Sequence, residues 1–152
     1  MDDTPNITLR YDTGPSWAEA VMDDFDAFLL DHAACERKAP ATALSFVVRY
    51  PDRRETLEPL IRLAIQELAH FHRVFQFVLS RNLVFVRDEK DPYVNQMLGL
   101  RRVGRELEFL DRLLLFGIIE CRGCERFGLV AEALSDATLK AFYLELTESE
   151  SR

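Results

Sequence analysis

The amino-acid sequence predicts an all-α protein whose four main helices form two antiparallel hairpins. Apolar residues recur every three or four positions over long stretches, which is the spacing of one helix face. Only 6 Gly and 6 Pro occur in 152 residues, so long helices can form. A chain of this length suffices for one domain with a buried core. We therefore predict an irregular N-terminal arm over residues 1–15 and a helical domain over residues 16–152.

The first helix is expected over residues 16–49, with Ser16 as its N-cap and Glu19 completing a capping box. One carboxylate, Glu36, lies within the apolar stripe of this helix instead of on its polar face. Pro40 is expected to kink the helix, because its ring opposes the carbonyl of Glu36. Glu36 is therefore an unusual residue for its position.

The second helix is expected over residues 56–80, with Thr56 as its cap. Glu67 and His70 form a Glu-x-x-His and lie one turn apart on the apolar face of this helix. A carboxylate within a core is costly unless it is paired or bound to a metal. The pair is therefore a candidate metal-binding motif.

A long crossover and a third helix follow. Residues 81–91 are interpreted as the crossover, and Leu83–Val86 as loop, because the sequence offers this β-prone segment no partner strand. Asp91-Pro92 opens a third helix over residues 92–132, in which Glu120 lies at the edge of the apolar stripe. That stripe consists of Met97, Val103, Leu107, Leu110, Leu114, Gly117, Cys121 and Cys124.

The fourth helix is predicted over residues 136–150, is capped by Ser135-Asp136 and carries Glu150 at its end. It has about 15 residues, whereas its partners have about 25 or more. A helix this short covers only part of the groove that its neighbours form. We therefore expect an uncovered apolar face that favours self-association.

The glutamates repeat at nearly equal intervals. Glu36 and Glu67 are 31 residues apart, and Glu120 and Glu150 are 30 residues apart. A predicted turn divides each interval near its midpoint, and antiparallel helices bring residues equidistant from a turn to the same height. Two such hairpins joined by a long crossover predict a ferritin-like four-helix bundle.

Ferritin-like bundles hold two metal ions with one Glu from each of two helices and a Glu-x-x-His from each of the others. Glu36, Glu67, His70 and Glu120 occupy four of these positions, and Glu150 has the spacing for a fifth. A His three residues beyond Glu150 would fall one position past the last residue of the sequence. The five residues present are our candidate metal ligands.

Composition and charge limit the classes of partner. The net charge of −7 argues weakly against nucleic acid or an anionic membrane, although residues 49–105 hold eleven Arg or Lys against seven Asp or Glu. The N-terminus has no apolar segment, and Leu113–Ile119 is too short to span a bilayer. Three cysteines do not make a disulfide framework. These features predict a cytoplasmic protein with reduced thiols and no membrane partner.

Two further groups of residues give weaker hypotheses. His32, one turn before Glu36, is typical of a core histidine or of a group that contacts a metal ligand, and His72 is expected to be exposed. The arginines that are candidates for phosphate contact are Arg53, Arg54, Arg81, Arg101, Arg102 and Arg105. A solvated helix face explains these arginines at least as well.

Three segments of the sequence resemble a known family. They are Asp31–Ala39 (DHAACERKA), Gln66–Phe71 (QELAHF) and Ile119–Phe127 (IECRGCERF). Together they resemble the tRNA 2-methylthio-N6-isopentenyladenosine hydroxylase family, over roughly residues 16–152. The resemblance implies a non-haem di-iron monooxygenase, which uses O2 and electrons to hydroxylate the isopentenyl tail of the hypermodified adenosine next to the anticodon.

The same resemblance implies the ligands and the partners. Glu36, Glu67, His70, Glu120 and Glu150 would bind iron, with tRNA as substrate and an unidentified electron donor. The family continues with a His and further helix where this sequence stops, so the chain resembles a C-terminally truncated member. We therefore expect one iron to predominate over the two of the complete family pattern.

Two other functional classes are compatible with the same residues. A ferritin-like or rubrerythrin-like iron or peroxide handler would use the bundle and the metal but would need no RNA surface. A metal-free helical interaction module would need neither. Binding of tRNA distinguishes the hydroxylase from the first alternative, and iron content distinguishes both metal proteins from the second.

Overall fold

The computed structural model describes residues 8–85, 87 and 91–150, with the side chain of Glu150 excepted. Within these residues all regular secondary structure is helical, as predicted. The six helices are α1 (Pro15–Asp23), α2 (Phe25–Arg49), α3 (Arg54–Ser80), α4 (Pro92–Gly99), α5 (Arg105–Ala133) and α6 (Ala137–Glu150). The chain divides into two compact units, one over Asp24–Lys90 and the other over Met1–Asp23 with Asp91–Arg152.

The first predicted helix is divided in two at Asp24. The Asp24 carboxylate accepts a hydrogen bond of 3.1 Å from the backbone N–H of Ala27 and so caps α2, which apolar periodicity alone does not register. Helix α1 begins at Pro15, one residue before the predicted cap Ser16. Pro40 lies inside α2 without ending it, and this proline is buried.

Helices α2 and α3 form the hairpin of the Asp24–Lys90 unit. A short turn joins them, in which Tyr50 donates to the Phe46 carbonyl at 2.9 Å and Arg53 donates to the Tyr50 carbonyl at 3.0 Å. Helix α3 begins at Arg54, so the predicted cap Thr56 is wrong. The Thr56 hydroxyl instead donates to the Arg53 carbonyl at 2.9 Å from within the first turn. The buried apolar core of this hairpin includes Leu29, Ala33, Ala43, Phe46, Leu60, Ala64, Val74 and Val78.

The crossover segment packs back on the same hairpin. Residues 83–85 form neither helix nor strand, in agreement with the predicted loop, and Val86 lies outside the described residues. The ring of Phe85 stacks on Phe75 with 5.6 Å between centroids, and the Arg37 guanidinium lies 5.3 Å from the centroid of Phe85. These contacts attach the start of the crossover to α2 and α3.

The third predicted helix is also divided, between α4 and α5. Asp91 caps α4 as predicted, accepting from Tyr93 N at 2.8 Å. The chain then turns at Gly104, whose φ of 113° is a backbone conformation that side chains strongly disfavour. The Asp111 carboxylate accepts from the backbone N–H of Arg102 at 2.8 Å and from its guanidinium at 2.6 Å. This pair holds the turn to the first part of α5.

Helix α6 packs on the second half of α5. Asp136 caps α6 as predicted, accepting from Thr138 N at 2.8 Å and from Leu139 N at 3.0 Å. The buried residues of this contact include Val130, Ala131, Leu139, Phe142, Tyr143 and Leu146. With 14 residues against the 29 of α5, α6 spans about 21 Å of a helix about 44 Å long.

The first part of the apolar stripe of α5 is exposed, as expected beyond the reach of a short fourth helix. The exposed fractions are 41% for Leu107, 46% for Leu110 and 47% for Leu114, and Val103, in the turn before α5, is 95% exposed. The periodicity therefore identifies an apolar face correctly, but not whether another element covers it.

The Arg102–Asp111 pair predicts a pH dependence of stability. Hydrogen bonds from the side chain and backbone of Arg102 lower the pKa of Asp111 to about 2. Because this folded-state pKa lies below the ordinary value, the stabilisation is present above about pH 4 and is lost as the pH falls toward 2. We expect Arg102→Gln to destabilise the protein at pH 7 and to have a smaller effect at pH 3, measured by urea unfolding.

The matched control is Arg62→Gln, which removes an exposed pair of α3 with Glu58. This substitution is expected to change stability little at either pH, since exposed pairs contribute little. Equal destabilisation by Arg102→Gln at pH 3 and pH 7 would contradict the attribution of this pH dependence to the Arg102–Asp111 pair.

Candidate metal centre

The predicted motif of α3 and the predicted carboxylate of α2 meet in the core of one hairpin. Glu67 and His70 lie one turn apart on α3, and Glu36 lies on the facing side of α2. The exposed fractions are 6% for Glu36, 1% for Glu67 and 6% for His70. The structure therefore confirms that these three polar residues are buried among apolar side chains.

The three side chains converge closely enough to share one cation. One potential ligand atom from each lies within 4.8 Å of the others. His70 Nδ1 is 3.9 Å from Glu36 Oε2 and 3.9 Å from Glu67 Oε2. These separations are too long for hydrogen bonds. They suit atoms that bind a common ion, because ligands about 2.1 Å from a metal lie about 3–4 Å from one another.

The charge and chemistry of the cluster also fit a metal ion. Two buried carboxylates repel each other and are costly to desolvate unless a cation compensates them. Glu36 Oε2 is buried and accepts no hydrogen bond within the part of the chain that the structure describes. Carboxylate and imidazole donors bind divalent iron, and three protein ligands leave coordination positions open. Glu36, Glu67 and His70 therefore fit an iron site.

His32 contacts this cluster through Glu36. The two residues are one turn apart on α2, and His32 Nε2 lies 2.8 Å from Glu36 Oε1. Both side chains are buried. Of the two roles that the sequence left open for His32, the structure favours contact with a candidate ligand.

The other two candidate ligands stay predictions. Glu120 lies half-buried on α5, in the second compact unit. Burial, followed by the charge of Glu120, raises the pKa of the neighbouring Cys121 thiol. Glu150 is the last residue of α6, and its side chain lies outside the described part of the chain.

The segment Ile119–Phe127, one of the three that resemble the family, contains interacting residues that the sequence did not reveal. Thr13 donates to the Glu125 carboxylate from its backbone N–H and from its hydroxyl. Arg122 donates to Thr13 Oγ1 at 3.2 Å and to the Tyr11 carbonyl at 2.6 Å. Burial raises the pKa of Glu125, but these hydrogen bonds outweigh it and the pKa lies below its ordinary value. The predicted irregular arm is therefore held against α5 at residues 11–13.

Several candidate phosphate contacts are engaged within the chain. Arg102 pairs with Asp111 at 2.6 Å, and Arg81 pairs with Asp26 at 2.6 Å. Arg101 lies 3.4 Å from the Glu108 carboxylate. Phosphate contact by these arginines would compete with existing ion pairs.

Helix α3 also has a second apolar face. An open hollow of about 480 Å³ is lined by Ile65, Leu68, Ala69, Phe71, His72 and Phe75. At about 100° per residue, the exposed Ile65 and His72 project well away from Glu67 and His70. His72 is exposed, as predicted.

Neither a bilayer-spanning helix nor a disulfide is found in the part of the chain that the structure describes. Among these residues no helix is long and apolar enough to cross a membrane. Within the same ranges no disulfide joins the three cysteines.

Replacing Glu67 tests the cluster directly. We expect Glu67→Gln to weaken Fe(II) or Co(II) binding by more than about 100-fold. Loss of a residue that only hydrogen-bonds to a metal ligand already weakens metal binding by about 10–100-fold. The Tm of the metal-free protein should not fall, since the amide removes a costly buried charge. Calorimetric titration and metal analysis measure the first effect, and thermal unfolding measures the second.

The control for this experiment is Glu58→Gln, an exposed glutamate of the same helix. It is expected to bind metal as the wild-type chain does. Unchanged metal stoichiometry in Glu67→Gln would remove Glu67 from the site.

Comparisons with known proteins identify the family of the chain. Residues 3–152 match the family described as tRNA-(MS[2]IO[6]A)-hydroxylase (MiaE). The chain is 33% identical over 140 residues to the tRNA 2-(methylsulfanyl)-N(6)-isopentenyladenosine(37) hydroxylase of Pseudomonas putida, covering 92% of the chain and 68% of that relative. It is 35% identical to the protein of the same name from Salmonella typhimurium, covering 95% of the chain and 71% of that relative.

A solved structure is also similar. It is described as Protein 43 with aldehyde deformylating oxygenase activity from Synechococcus, and it superposes with a TM-score of 0.87 at 34% identity. The similarity covers 95% of this chain and 72% of that protein. By its sequence and by the relatives that it matches over most of its length, the chain belongs to the MiaE family of tRNA hydroxylases.

Proposed function

We propose that this chain hydroxylates the isopentenyl group of 2-methylthio-N6-isopentenyladenosine in tRNA, using O2 at a carboxylate–histidine iron site. The observation that carries the proposal is the buried cluster of Glu36, Glu67 and His70 in a member of the tRNA hydroxylase family. Both curated relatives are named for this reaction. Because the substrate is a tRNA, the proposal includes a cytoplasmic location.

We further propose that the iron is bound within a ferritin-like four-helix bundle. The matched intervals of 31 and 30 residues support this arrangement, as does the likeness to a solved oxygenase. In this proposal Glu120 and Glu150 bind iron together with the three clustered residues. Their support is the family resemblance and the spacing of the sequence.

The reaction sets requirements that the protein must meet. Inserting one oxygen atom of O2 into a C–H bond converts it to C–OH and releases the other oxygen atom as water. Each turnover therefore consumes two electrons and two protons, which an external electron donor must supply. Bound iron would supply the redox chemistry that activates O2.

The residues of the α2–α3 hairpin prepare the site for this chemistry. Glu36 and Glu67 would neutralise the charge of the metal, and His70 would add a neutral donor. Their burial keeps bulk water from the coordinating atoms, which strengthens electrostatic interactions there. The core of the same hairpin also contains fully buried apolar side chains, such as Leu29 and Val74, which suit an apolar substrate group better than a polar one.

The activity can be tested with purified components. The chain, loaded with Fe(II), is incubated with tRNA that carries the isopentenyl modification, a chemical reductant and O2. We expect the modified nucleoside to gain one oxygen atom derived from labelled O2, as measured by mass spectrometry. The same tRNA without the isopentenyl group should be unchanged.

Variants connect the activity to the cluster. Product formation should fall to background in Glu67→Gln and persist in Glu58→Gln. Hydroxylation that is undiminished in Glu67→Gln would disconnect the reaction from this site. Consumption of peroxide without any modification of tRNA would instead favour an iron or peroxide handler.

A further inference from the structure

His32 is a buried histidine whose role the proposed reaction does not yet explain. His32 is 3% exposed, and its Nε2 lies 2.8 Å from Glu36 Oε1. A carboxylate only accepts hydrogen bonds, so Nε2 carries the hydrogen and donates when Glu36 is ionised. His32 thereby engages one of the two oxygens of a candidate iron ligand.

The other oxygen of Glu36 faces the remaining ligands. Glu36 Oε2 lies 3.9 Å from His70 Nδ1, and it accepts no hydrogen bond from any residue that the structure describes. The two carboxylate oxygens are chemically equivalent until a neighbour distinguishes them. The hydrogen bond from His32 makes that distinction, since it leaves Oε2 available toward Glu67 and His70.

We propose that His32 is a positioning residue, whose hydrogen bond to Oε1 orients Glu36 so that Oε2 is the oxygen that binds metal. The inference rests on the proposed function, because it assumes that Glu36 is an iron ligand. Without the bond, the carboxylate could rotate about its last side-chain torsion, which has a broad energy profile. It could then bind through either oxygen or through both.

The packing around His32 limits its own movement. The ring of Phe28 stacks on the imidazole, with 5.9 Å between centroids and an angle of 26° between the planes. Leu29 and Ala33, which flank His32 on α2, are fully buried. A ring held in this way keeps Nε2 within hydrogen-bond distance of Glu36, which lies one helical turn further along α2.

Metal binding measured by Co(II) absorption tests the proposal independently of turnover. His32→Leu should weaken Co(II) binding by about 10–100-fold, the usual effect of losing a partner of a metal ligand. It should also shift the visible bands of bound Co(II), because these report the number and arrangement of ligand atoms. His32→Gln should restore most of the affinity, since its amide N–H can donate to Glu36.

His72→Leu is the matched control. It removes an exposed histidine of α3 that projects away from the cluster, and it should leave both the affinity and the bands unchanged. The Tm of each metal-free variant is measured on the same samples. A fall in Tm for His32→Leu, with wild-type Co(II) affinity and bands, would show that His32 only fills the core and would overturn the proposal.

Two further outcomes are decisive. Equal loss of affinity in His32→Leu and His32→Gln, with unshifted bands, would overturn a role for the hydrogen bond. If His32→Leu does not fold, His32→Gln decides alone. The proposal then requires that His32→Gln bind Co(II) within about tenfold of wild type, because losing the hydrogen bond to a metal ligand weakens binding by at least about that factor.

The proposed function can fail separately. A wild-type chain that binds no Co(II) or Fe(II) at a Glu67-dependent site would overturn both proposals. A chain that hydroxylates tRNA in a Glu67-dependent manner while His32→Leu binds Co(II) as wild type does would overturn only the role of His32.

Discussion

The packing of α2 against α3 is the constraint on which the candidate site depends. This contact brings Glu36 to the height of Glu67 and His70 and removes all three from water. The apolar side chains of the hairpin would pack as well against a leucine at each of these three positions. The polar residues are therefore a cost to folding that a bound cation can offset, which links metal occupancy to the stability of this hairpin.

Much of the candidate site could be predicted from the sequence, because a carboxylate within an apolar stripe is a visible anomaly. Glu36, Glu67 and His70 were recognised in this way, and their convergence followed from equal distances to a turn. The role of Glu125 was not visible in this way, because its partner Thr13 lies 112 residues away and has no periodic relation to it. Glu120 and Glu150 stay predictions for a different reason, since each depends on the arrangement of further helices.

The fold was predicted in class but not in all its boundaries. Apolar periodicity continues through Asp24 and through residues 100–104, where the helices are divided. Hydrogen bonds of single side chains and one positive φ at Gly104 cause these divisions, and a pattern of apolar residues does not register either. Thr56 was misassigned as a cap because its hydroxyl is typical of that position, whereas α3 begins at Arg54 without any side-chain cap. The apolar pattern thus predicts that a helix forms, whereas local hydrogen bonds determine the residue at which it begins.

Pro40 has a consequence for the mobility of Glu36. Proline has no N–H, so it cannot donate the usual helical hydrogen bond to the carbonyl of Glu36, four residues before it. The turn that carries Glu36 is therefore less tightly bonded than the turn of α3 that carries Glu67 and His70. Small displacements of the backbone cost less there, so the α2 carboxylate can adjust to a change in metal radius or charge while the α3 pair stays in place. The hairpin thus combines one compliant candidate ligand with two more rigid ones.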